Sequence, residues 1–121
     1  QISILGLDPA AKARVRVRLA GTGLRDAYGR DVTGQPLGEI EAGERFTYWL
    51  HALKRVITTG EPAAGVISLG GLGKPHLDQH WLRLPLSSDG RHVDGFLGYD
   101  RFVPTEAAQR AAQQPSAIGA G

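Results

Sequence analysis

Residues 14–19 alternate without a break: Arg14, Arg16 and Arg18 interleave with Val15, Val17 and Leu19. A period of two with β-branched residues on one side predicts a strand with one face on a core and the other in water. That stretch alone excludes an all-helical fold. A short β-prone run over 2–5 precedes it, broken by Gly6, Leu7, Asp8 and Pro9, so residues 2–19 read as a hairpin with a long turn. The helical period appears once at length. Phe46, Trp49, Leu50, Leu53, Val56 and Ile57 repeat as one apolar stripe over 44–59, with Gly60 placed for the C-cap and Pro62 beyond it. The glycine-rich stretch 21–43 allows one helical turn over 24–28 and short helical pieces around Leu37 and Ile40. Strands return over 65–69, 80–86 and 91–103, with a turn at Ser87, Ser88, Asp89 and Gly90.

This order predicts an α+β domain over residues 1–104: a five-stranded antiparallel sheet with helices across one face. Residues 105–121 read as the start of a polar linker helix, capped by Thr105, and a disordered tail from Pro115. Within the domain, Phe46, Trp49, Leu50 and Leu53 are expected to pack on Leu82, Leu84 and Leu97. A pocket, where one exists, is expected between helix and sheet, lined by Tyr28, Trp49, Leu53, Leu82, Leu84 and Leu97. In the 29–34 turn, Asp31 is placed to accept backbone N–H groups or pair with an arginine, and Gly34 to take a positive φ.

The chemical inventory is sparse. No cysteine is present, which removes disulfides, thiolate nucleophiles, cysteine-ligated metals and a flavin–cysteinyl adduct. Eleven arginines and three lysines against twelve acids give +2, a balance that makes no case for nucleic acid. No apolar run is long enough for a membrane span. The chain lacks methionine and begins at Gln1, so it is expected to be a piece of something longer. His51 falls about 160° from the centre of the helical apolar stripe and is expected in solvent, away from any haem. His76 and His80 precede or enter a strand, which sets them about 13 Å apart, too far for a shared metal. Neither serine run has the frame of a nucleophile elbow, and neither glycine run that of a phosphate loop. Arg14, Arg16 and Arg18 would line one strand face at about 7 Å intervals, suited to an anion or an acidic partner.

Two motifs carry a family likeness. Arg18-Leu19-Ala20-Gly21-Thr22, followed by Tyr28-Gly29-Arg30-Asp31-Val32-Thr33-Gly34, resembles the PAS-like domain family widespread in alphaproteobacteria. Thr59-Gly60-Glu61-Pro62, Leu84-Pro85-Leu86, Asp89-Gly90 and Val93-Asp94-Gly95 agree in order, so the resemblance spans residues 2–103. The helical segment with a tryptophan that family members carry before the first strand has no counterpart here. The resemblance implies a PAS fold and a cytoplasmic sensory or regulatory module that binds a small ligand or a protein partner without catalysis, and that pairs as a homodimer. It names no cofactor. Two alternatives stand beside it: a small enzyme built on His80 or His92 near Asp94 or Asp100, and an anion- or nucleotide-binding module using the arginine face.

Overall fold

The computed structural model describes residues 1–8 and 11–113, and for residue 8 and residues 11–14 the backbone alone. The tail expected from Pro115 lies outside the described residues. Strands β1 (Ile2–Asp8) and β2 (Ala11–Ala20) open the fold, followed by helices α1 (Thr22–Tyr28), α2 (Leu37–Ile40) and α3 (Gly43–Thr59). Strand β3 (Ala63–Ser68), a 3₁₀ turn (Leu69–Leu72), β4 (Leu77–Leu86), β5 (Gly95–Pro104) and α4 (Glu106–Gln113) complete it. The five strands form one antiparallel sheet in the order β2-β1-β5-β4-β3, so the first hairpin and the last three strands meet at β1 and β5. The α+β architecture is therefore the expected one.

Several boundaries differ from the sequence reading. Gly6 does not end β1, because that strand is paired on both sides, to Arg16 of β2 and Gly95 of β5. Strand β5 begins only at Gly95, since the backbone N–H groups of Arg91 and His92 turn in to the Asp89 carboxylate. Thr105 does cap α4, its hydroxyl accepting the N–H of Ala108 at 3.1 Å.

Helix α3 lies on the sheet through a stripe of Arg45, Trp49, Leu53 and Val56, and Gly60 ends it in the left-handed conformation. Opposite, Trp81 and Phe96 supply the bulk of the sheet's inner face. Gly65 faces Trp81 across the β3–β4 ladder, and a Cβ there would sit 2.8 Å from the indole ring. The glycine therefore makes room for the tryptophan. In the 29–34 turn, Asp31 accepts the Thr33 N–H at 3.0 Å and lies 3.6 Å from Arg25, and Gly34 adopts φ +84°. The turn feeds a segment that lies along the outer edge of β2: the Gly34 N–H donates to Val17 O, the Val17 N–H to Gln35 O, and Pro36 bridges Arg16. Among the described residues no helix is long and apolar enough to cross a membrane.

Candidate functional site

The ladder registers fix which side chains share a face. Phe96 pairs with Leu5 and Pro85, Gly98 with Ser3 and Arg83, and Asp100 with Trp81, all toward α3. Leu82, Leu84 and Leu97 fall on the opposite face, which corrects the expected core. The reason is chemical: Arg83 and Asp100 satisfy one another inside, and this sets the alternation of both strands. Arg83 Nη2 and Nη1 donate to the two Asp100 oxygens at 3.0 and 3.1 Å, and the guanidinium stacks 4.7 Å from the Trp49 ring centroid. The pair is buried. Such a pair is tolerated inside a protein because each charge has its partner and its hydrogen bonds.

A continuous polar chain extends from it. Gln79 Nε2 donates to Asp100 at 2.7 Å and its oxygen accepts from Arg45 at 3.0 Å. Arg45 Nε donates to Glu41 at 2.6 Å, and the Tyr28 hydroxyl donates to the same carboxylate at 2.5 Å. Arg45 also reaches the Ser68 carbonyl at 2.9 Å. Two acids and two arginines balance in charge, and α1, the α2–α3 junction and the sheet are tied into one unit. Burial, then the charge of Glu41 and the hydrogen bond to it, push the Tyr28 hydroxyl well above the usual tyrosine range, so it remains a donor.

These groups fill the space where a pocket was expected. Tyr28, Trp49 and Leu53 do line the interior cavity, together with Ser3 and Arg83, but its volume is about 40 Å³, room for one or two waters. Leu82, Leu84 and Leu97 take no part in it. Trp49 Nε1 is buried with no hydrogen-bond partner among the described residues, whereas Trp81 Nε1 donates to the Tyr48 hydroxyl at 2.8 Å.

The outer face carries the leucines instead. One row across the sheet reads Ala64, Leu82, Tyr99, Ile2, and the next Leu84, Leu97, Ile4, Leu19. Leu19 is 53% exposed, Tyr99 43% and nearby Val66 52%. Leu19 was expected inside with Val15 and Val17. An irregularity in the β1–β2 pairing between Ile4 and Leu5 makes Arg18 an extra residue and turns Leu19 outward. The same irregularity breaks the regular row of arginines. Arg16 Nη1 is bound to the Gly34 carbonyl at 2.5 Å, Arg18 lies over Gly6, and the Arg14 side chain lies outside the described residues. His51, His76 and His80 are all exposed, and no metal-ligating cluster occurs among the described residues.

No family model matches the chain, and no curated protein matches it. Solved structures share its fold, and two of them show the likeness. A domain of an HTR-like protein from Haloarcula marismortui is 20% identical, with a TM-score of 0.61 over 84% of this chain and 97% of that one. A light-oxygen-voltage domain from a study of a flavin analogue is 14% identical, with a TM-score of 0.59 over 93% of this chain and 83% of that one. Both have the PAS fold, and so does this chain.

Proposed function

We propose that this chain is a regulatory module of a signalling protein, without chemistry of its own, that works by presenting the outer face of its sheet to a second copy of itself. The observation that carries the reading is the double apolar row on that face, which a monomer leaves in water. A sheet with large apolar side chains on both faces is best stabilised when both are covered. Twofold pairing brings such rows against their own copies, and apolar side chains meet their like without penalty. His80 and Arg101 pair in a neighbouring row, where they fall at the margin of such a contact.

The interior argues against a small molecule held between helix and sheet, since about 40 Å³ is far below the roughly 300 Å³ where ordinary ligand pockets begin. The groups of a catalytic reading are already committed. Asp100 is spent on Arg83 and Gln79, with His80 on the other sheet face; His92 is held by Asp89 and Asp94 by Ser88. The motifs over 18–22 and 28–34 support membership of the alphaproteobacterial PAS-like family, and with it a cytoplasmic role. Light scattering across a concentration series tests the reading. A dimer is expected for the wild type and a monomer for Tyr99→Lys combined with Val66→Lys. A wild type that stays monomeric, or a dimer indifferent to both lysines, overturns it.

A further inference from the structure

We propose that the open groove at the C-terminal end of α3 binds a small organic acid, a carboxylate head on an aromatic or short aliphatic body. The groove has a volume of about 990 Å³ and shares no lining residue with the interior cavity. It is bounded by the last turn of α3, the end of β1 and the β4–β5 turn. Leu7, Ile57 and Val93 give it an apolar floor, and Ile57, the outermost member of the helical stripe, is 38% exposed there. Arg18 and Arg91 also line it, and neither guanidinium has a partner among the described residues.

Charge balance sets the sign of the ligand. Among the described residues Asp94 is the one carboxylate lining the groove, and it is already held by the Ser88 N–H at 3.2 Å and by the Ser88 hydroxyl. His92 is paired with Asp89 at 2.9 Å. Among the described residues, two guanidiniums without a partner against one carboxylate leave a single positive charge for a monoanion to neutralise. The peptide carbonyls at the end of α3 carry partial negative charge, so the head belongs on the arginine side and the body over Ile57 and Leu7. The turn bearing Arg91 and Val93 is set in advance: Asp89 accepts from the Ser87 hydroxyl at 2.9 Å and from the N–H groups of Arg91 and His92 at 2.7 and 2.8 Å. Little turn freedom is therefore lost on binding.

The test is an amide NMR titration of the whole chain with phenylpropanoate, using phenylpropanamide as the neutral isostere. Saturable shifts are expected at Thr58, Thr59, Gly60 and Val93 with the acid. The amide should bind at least about tenfold more weakly, and so should the acid to Arg18→Gln combined with Arg91→Gln. Both arginines are exposed, so the double variant is expected to melt with the wild type. Equal affinity for acid and amide, indifference to the double variant, an absence of shifts at millimolar ligand, or shifts confined to Leu82, Leu97 and Tyr99 each overturn the proposal. The last outcome would put the ligand on the outer sheet face and leave the pairing of copies to be judged by its own experiment.

Discussion

Asp100 has no water to turn to, and both its oxygens are taken by Arg83 and Gln79. Asp100→Ala leaves the Arg83 guanidinium charged, buried and unpaired, and should cost about 3–5 kcal/mol in urea unfolding. Replacing both members together, as Arg83→Met with Asp100→Leu, should cost less than Asp100→Ala alone, because the charge leaves with its partner. Tyr28 carries a pH signature. Its hydroxyl holds its proton more tightly in the folded protein than in the unfolded chain. The stabilisation this gives is complete below about pH 10, the ordinary tyrosine value, and is lost as pH rises from there toward the folded value. Unfolding free energy should therefore fall with rising pH in the alkaline range, and Tyr28→Phe should flatten that slope. At Gly34 a Cβ would meet nothing within 4 Å, so only the positive φ opposes a side chain. Gly34→Ala should cost about 1–2 kcal/mol, and a variant as stable as the wild type would mean that the turn relaxes freely.

Helix α3 shows best what periodicity reveals. Its length, its glycine cap and the apolar part of its buried stripe, Trp49, Leu53 and Val56, follow from spacing, whereas the buried Arg45 does not; Trp49 at 3% exposure sits where that spacing puts it. Trp49→Ala should cost about 3–5 kcal/mol, read from the shift in the urea midpoint. The strands were legible as strands, and their antiparallel assembly followed from their order. Their facing was not. In β4 both parities hold bulky apolar groups, Trp81 and Pro85 on one side and Leu82, Leu84 and Leu86 on the other, and a lone Arg83 reads as the mark of a solvent face. Only its partner reverses that reading, and Asp100 lies seventeen residues away on another strand. The polar chain was hidden for the same reason, since Tyr28, Glu41, Arg45 and Gln79 become neighbours only after folding. Strand β2 failed differently: the irregularity beside Arg18 belongs to its pairing with β1, and a strict alternation in the sequence gives no hint of it.

At the scale of the molecule, the interior is filled and cross-linked by charge, whereas apolar surface accumulates on the far side of the sheet. If copies pair there, folding and association are coupled, and the melting temperature should rise with protein concentration. Tyr99→Lys should abolish that dependence in a calorimetric dilution series. The two margins of the sheet are not equivalent. The free edge of β2 is occupied in mid-strand by residues 34–36, whose backbone is bonded to Val17. Strand β3 is the other terminal strand of the sheet, and among the described residues nothing pairs with its outer edge. Lateral growth into a filament requires every copy to offer two open margins, one to receive and one to extend. Among the described residues only the β3 margin is open along its whole length. Should β3 ever dock onto β3 of another copy, the product is a single sheet running through two molecules, ended on both sides by its own backbone.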